Sequence, residues 1–210
     1  MPSICLLTSD RALKYVQTSK QELVDCVAGL YAMGLTTSIS GNHSLRASPN
    51  WMWITPSGIP RYRIRRTDLV KVNLKTGKAL GKTKPSVELE MHRAIYRVAP
   101  DVNAIVHTHS PFTIGVSISA EFRHVIEEAR IVVGTPVFVA NRPSGSKELA
   151  ESVSREFAQG ARVVIVRNHG VVAGAKDLQH ARAIIESLEE WAKILTIARI
   201  FGGPRSYLEG

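Results

Sequence analysis

The chain of 210 residues is 44% hydrophobic and 21% charged, and it carries a formal net charge of +9 at pH 7. That length and apolar fraction fit one domain over residues 1–210, with an extension at 1–17 and a tail at 202–210, and they exclude a disordered chain. No apolar run approaches a bilayer span, residues 1–10 have no basic stretch ahead of their apolar residues, and Cys5 and Cys26 make no disulfide framework, so a cytoplasmic protein without a membrane partner is expected.

Ser19 and Glu22 have capping-box spacing at the start of a helix whose apolar stripe is Leu23, Val27, Leu30 and Tyr31, with Gly34 as its stop. Residues 36–46 form a polar, glycine-containing stretch. Residues 51–54 read as a short strand before the turn Thr55-Pro56-Ser57-Gly58. The basic residues are spread along the chain, and the densest run is Arg61, Arg63, Arg65 and Arg66, interleaved with Tyr62 and Ile64. That run reads as a solvated loop or a subunit contact, and no nucleic-acid partner is expected. Residues 69–74 read as a strand ending at a Thr76-Gly77 turn.

Pro85 suits the first position of a helix over 86–98, which places Glu88 and His92 on one face. An apolar strand over 103–109 follows, and Pro111 opens a further helix. Residues 131–133 and 137–139 read as short strands around Gly134. Residues 146–157 read as a helix, 162–166 and 171–173 as strands. Asp177 caps a long last helix with the core stripe Ala181, Ile184, Ile185, Leu188, Trp191 and Leu195. Helices and short strands alternate along the chain, so the expected class is α/β with one central sheet covered by helices.

Chemistry concentrates at the 103–109 strand. Alternate residues of a strand point to one face, so His107 and His109 project together from its end. A catalytic metal takes three protein ligands and keeps a position open. Of the remaining histidines His169 is best placed, in an Asn168-His169-Gly170 turn directly after another apolar strand. His43, His92, His124 and His180 read as ordinary structural histidines, with His92 also a candidate for supporting the site. Three imidazoles favour Zn2+, with Co2+, Mn2+ or Fe2+ as the other candidates. Glu88 is the candidate proton carrier, although a glutamate in a first helical turn is common for dipole reasons alone. Asn42, Ser57, Gly58 and Ser86 stand at loop or helix-start positions whose N–H groups and hydroxyls can cradle an anion.

Ser40-Gly41-Asn42, Ile54-Thr55-Pro56-Ser57-Gly58, Lys84-Pro85-Ser86-Val87-Glu88, His107-Thr108-His109-Ser110 and Asn168-His169-Gly170 occur in that order. Together they resemble the class II aldolase/adducin family, nearest to its L-fuculose-phosphate aldolase branch. The resemblance implies a three-layer α/β/α fold around a central mixed, largely antiparallel sheet, and a homotetramer. It implies zinc on His107, His109 and His169, Glu88 as acid/base, and substrate phosphate on Asn42, Ser57, Gly58 and Ser86. The implied reaction is that of a carbon–carbon lyase: reversible cleavage of a phosphorylated ketose to dihydroxyacetone phosphate and an aldehyde through a zinc-stabilised enediolate. Methylthioribulose-1-phosphate dehydratase, epimerase and decarboxylase activities share such a site, and an adducin-like interaction module is the non-enzymatic alternative. This chain departs from the family's pattern at Val87, where a hydroxyl is usual, at His43, where an aliphatic residue is usual, and over 121–128, which has no tyrosine. Tyr207 in the tail is the tyrosine left to reach a neighbouring subunit.

Overall fold

A computed structural model describes residues 19–119 and 122–208. The expected extension at 1–17 and Cys5 lie outside the described residues. Helix α1 runs over residues 19–32 and buries Leu23, Cys26, Val27 and Leu30, the side chains that repeat every three or four residues. It ends at Gly34, whose φ of 72° lets the Leu35 N–H turn back to the Leu30 carbonyl at 3.0 Å.

The strands are β1 (Asn42–Ser48), β2 (Trp51–Ile54), β3 (Val70–Asn73), β4 (Ala79–Leu80), β5 (Ala104–Thr108), β6 (Val137–Val139), β7 (Val163–Val166) and β8 (Gly170–Ala175). They form one sheet in the order β4-β3-β2-β1-β5-β8-β7-β6. Every pairing is antiparallel except β6 with β7. The remaining helices are α2 (Leu89–Val98), α3 (Pro111–Ser119), α4 (Glu127–Val132), α5 (Lys147–Ala158) and α6 (Leu178–Ile200).

Side chains alternate between the two faces of the sheet. Ala104, Val106, Val163, Ile165, Val171 and Ala173 pack with the apolar stripes of α1 and α6. Ile105, Val164, Val166 and Val172 join Met52, Ile54, Val70 and Val72 beneath α2 and α5. The result is the three-layer α/β/α architecture with a mixed, largely antiparallel sheet. Each fully buried Val, Leu or Ile stabilises it by about 1.5–3 kcal/mol. The α6 stripe from Ala181 to Leu195 is buried as its spacing predicts, and the Asp177 carboxylate accepts from the His180 N–H at 2.9 Å.

Four elements differ from the sequence expectation, the first being the two-residue strand β4, which the sequence did not suggest. Residues 131–133 are not a strand: they close α4, where Ala129 and Val133 pack inward, Ile131 stays exposed, and Gly134 at φ 69° stops the turn. A short β-branched run fits either a strand or a helix end, and packing decides. Strand β1 occupies part of the polar stretch, because buried Asn42 and Ser44 find hydrogen-bond partners there. Helix α2 starts at Leu89, not at 86. The Ser86 N–H is taken by the Thr55 carbonyl (3.1 Å) and the Lys84 carbonyl accepts from the Ser57 N–H (3.0 Å), which holds 84–86 extended against the 55–57 loop.

Candidate active site

His107 sits on the last turn of the β5 ladder, paired with Val172 of β8, and His109 follows the strand end. His169 stands in the turn between β7 and β8, where Asn168 takes the left-handed region at φ 61°. Asparagine tolerates that conformation better than most side chains. The chain thereby brings two distant turns together: the three imidazole centroids lie 5.0–5.1 Å apart. One nitrogen from each ring falls within 4.8 Å of the others. Gly170 permits this approach. A Cβ there would meet the Thr108 carbonyl at 2.3 Å and the His107 ring at 3.0 Å.

The donor set fits a metal ion. The His107 Nδ1–H donates to the Val171 carbonyl at 3.0 Å, which leaves Nε2 with a free lone pair. That nitrogen is fully buried and has no hydrogen-bond partner among the described residues. An unsatisfied buried acceptor costs about 1–3 kcal/mol, which a cation would offset. Burial, reinforced by His109 and His169, holds the His107 pKa well below its usual value. Burial, with His169 and Arg61, lowers that of His109 to about 4. Burial also lowers His169, against the opposing pull of Glu88. All three rings are therefore neutral at pH 7, the form that binds a metal.

Glu88 is the N-cap residue of α2 and is only 2% exposed, unlike a solvated first-turn glutamate. Its Oε1 lies 3.9 Å from His169 Nε2, and its buried Oε2 has no hydrogen-bond partner among the described residues. Asn42, Ser57, Gly58 and Ser86 line one cleft of about 280 Å³ together with Glu88, His109 and His169. The residues expected to hold metal, proton and phosphate thus converge, with His107 beside His109 and His169. A histidine triad that could hold a cation, a buried carboxylate and a small polar cradle share one opening.

Two further residues support the site: His92, a candidate for that place in the sequence, and Arg61, which the sequence did not single out. His92 of α2 donates from Nε2 to Asn42 Oδ1 (2.7 Å), and its Nδ1 accepts from the Ser44 hydroxyl (2.7 Å), which in turn meets the Tyr96 hydroxyl at 2.9 Å. Burial lowers the His92 pKa to about 3, so it works as a neutral imidazole. Arg61, placed by its sequence neighbours in a solvated run, is buried and lines the cleft, whereas Arg63, Arg65 and Arg66 are exposed as expected. No local pattern separates it from the other three. Val87 is exposed at the cleft, which Ser144 also lines.

Other candidates lie elsewhere. His43 is buried in β1, His180 pairs with Asp177, and His124 stacks on Trp191 at 4.5 Å; none of them lines the cleft. Tyr207 packs over Arg123 of its own chain at 3.7 Å, and the Leu208 N–H donates to the His124 carbonyl.

With this geometry in place, residues 21–196 match the Class II Aldolase and Adducin N-terminal domain. The chain belongs to the class II aldolase and adducin family, whose aldolases are metal dependent. Among its relatives is a 5-deoxy-D-ribulose 1-phosphate aldolase of Bacillus thuringiensis, 31% identical over 192 residues and covering 90% of each chain. An L-fuculose phosphate aldolase of Methanococcus maripaludis is 36% identical over 166 residues, 79% of this chain and 89% of that one. A 3-oxo-tetronate 4-phosphate decarboxylase of Haemophilus influenzae is 32% identical over 183 residues, 83% of this chain and 85% of that one. Among solved structures, YgbL of Escherichia coli, a putative aldolase/epimerase/decarboxylase, superposes with a TM-score of 0.83 at 28% identity, covering 93% of this chain and 96% of that one.

Proposed function

We propose that this protein is a zinc-dependent lyase that reversibly cleaves a ketose 1-phosphate resembling L-fuculose 1-phosphate into dihydroxyacetone phosphate and an aldehyde. The observation that carries this reading is the Glu88 carboxylate, buried 3.9 Å from His169 at the junction of the imidazole cluster and the polar cradle. His107, His109 and His169 would hold the cation. When bound, it supplies Lewis acidity that polarises the substrate carbonyl and stabilises the negative charge developing beside it.

The rest falls to the chain's own residues. Asn42, Ser57, Gly58 and Ser86 bind the phosphate and set the distance from it to the carbonyl. In cleavage the Glu88 carboxylate takes the proton of the C4 hydroxyl as C4 becomes the aldehyde, and the C3–C4 electron pair stays on C3. Glu88 delivers a proton to C3; in condensation it removes that proton. Its burial keeps water from competing for the transfer.

The reading carries with it one class II aldolase-like domain, a cytoplasmic location and a homotetramer. Ile197, Ile200 and Phe201, exposed together at the end of α6, support burial of that end by another copy. The decarboxylase relatives favour a second reading, loss of CO2 from a 3-oxo acid phosphate, which leaves the electron pair on the same carbon. Zinc-loaded protein assayed with L-fuculose 1-phosphate, 5-deoxy-D-ribulose 1-phosphate and 3-oxo-tetronate 4-phosphate separates the two. Aldehyde release from either ketose supports the aldolase, and CO2 release alone supports the decarboxylase.

A further inference from the structure

Arg61 is 5% exposed, and its guanidinium has five N–H groups to satisfy. Nη2 donates to the carbonyls of Ile39 (3.2 Å) and Gly41 (2.7 Å). Nε donates to the Ser40 carbonyl at 3.1 Å. Nη1 donates to the carbonyls of Pro56 (3.2 Å) and Ile59 (3.4 Å). The Arg61 backbone N–H adds a bond to the Ser38 carbonyl at 2.8 Å. All five side-chain acceptors are neutral, and no carboxylate pairs with Arg61 among the described residues.

Two consequences follow. The bonded carbonyls belong to two loops, 39–41 and 56–59, which flank the cleft and carry Asn42 at the end of one and Ser57-Gly58 within the other. One planar cation therefore fixes the spacing of the two halves of the cradle. Its charge also has no carboxylate partner at the wall of a cleft open to solvent, where dissolved ions reach its field. The neighbouring His43 registers that field: Arg61 adds to the lowering of its pKa by burial.

We propose that Arg61 is a positioning residue of the anion subsite: it ties loops 39–41 and 56–59 into one cradle, and its unpaired charge is the counter-charge for a dianionic phosphate in the cleft. With all five donors engaged, it acts on the anion through the loops and through its field, without direct contact. This rests on the reading above that a phosphorylated sugar occupies the cleft.

The test compares the full-length wild type with Arg61→Met and Arg61→Lys, using inorganic phosphate as the probe. Calorimetric affinity is measured at low and high salt, and zinc content is measured alongside. Arg61→Met weakens phosphate about 100-fold and flattens the salt dependence, because the charge that salt screens is gone. Arg61→Lys keeps the charge and loses the fork, so the loss shrinks to about tenfold while the salt dependence stays near wild type. Zinc content stays at the wild-type level in both. If Arg61→Met does not fold, Arg61→Lys still decides. Wild-type phosphate affinity in Arg61→Lys overturns the loop-tying role, and an unchanged salt dependence in Arg61→Met overturns the counter-charge. A wild type that binds no phosphate overturns this inference and the sugar-phosphate reading together. Phosphate binding that the variants leave untouched overturns this inference alone.

Discussion

His92 holds Asn42 by its side-chain oxygen at 2.7 Å, and so decides which end of the amide faces the cleft. With Nε2–H as the donor, Oδ1 is the acceptor, and the NH2 group of this cleft-lining residue stays available as a donor. The Asn42 oxygen can only accept, so Nε2 carries the proton and Nδ1 is left to accept from the Ser44 hydroxyl. His92→Phe fills the space but leaves Asn42 Oδ1 without its donor and Ser44 without its acceptor. It should raise KM for a phosphorylated substrate more than it lowers kcat, and it should cost about 1–3 kcal/mol of stability. Steady-state kinetics and urea denaturation check both.

Gly170 is expected to be intolerant of a single methyl group. The Cβ of Gly170→Ala would lie 2.3 Å from the Thr108 carbonyl and 3.2 Å from His109, so the β8 start must move away from β5. The imidazole cluster then opens. Zinc affinity should fall at least tenfold, read by competition with a chelating dye. Gly115→Ala in α3, where nothing lies within 4 Å of the added methyl, should retain zinc and be neutral or more stable by up to about 1 kcal/mol.

Acid should destabilise the metal-free protein earlier than carboxylate titration alone would. The unfolded chain protonates histidine near 6.5, whereas folded His92 and His109 resist to about 3 and about 4. The unfolded state thus binds more protons below pH 6.5. Stability is fully present above that value and falls as pH drops toward 4, by up to about 1.4 kcal/mol per pH unit for each such histidine. Urea midpoints at pH 7.5, 6 and 5 measure the slope, and His92→Phe should reduce it.

Glu189 of α6 is buried and accepts from the N–H groups of Phe112 (3.1 Å) and Thr113 (2.8 Å) and from the Thr113 hydroxyl (2.7 Å). It caps α3 from a neighbouring helix and favours its positive end. Glu189→Ala strands those donors and should cost about 2–4 kcal/mol, read as a lower melting temperature with little change in zinc affinity.

The ordered motifs made the site legible because each functional residue sits at a turn or strand end with a recognisable composition. His107-Thr108-His109 and Asn168-His169-Gly170 are local patterns, and the sheet needs only to bring their two strands side by side. The last helix was legible for a similar reason: its apolar period runs unbroken for four turns. What the sequence hides is decided by partners far along the chain. Arg61 differs from Arg63, Arg65 and Arg66 only in meeting the carbonyls of residues 39–41 and 56. The start of α2 moved from 86 to 89 because backbone bonds to Thr55 and Ser57 tether residues 84–86 to the neighbouring loop. Residues 131–133 became a helix end because α6 offers Ala129 and Val133 a face to pack on.

Proton exchange at C3 of dihydroxyacetone phosphate reads the chemistry assigned to Glu88 without any aldehyde or choice of sugar. Zinc-loaded protein is incubated with this compound in D2O and the C3 hydrogens are followed by proton NMR. Wild type should exchange one of the two hydrogens, and Glu88→Gln, with zinc content equal to wild type, should lose at least a hundredfold in rate. Full exchange by zinc-loaded Glu88→Gln, or none by zinc-loaded wild type, would contradict Glu88 as the proton carrier beside a histidine-held metal.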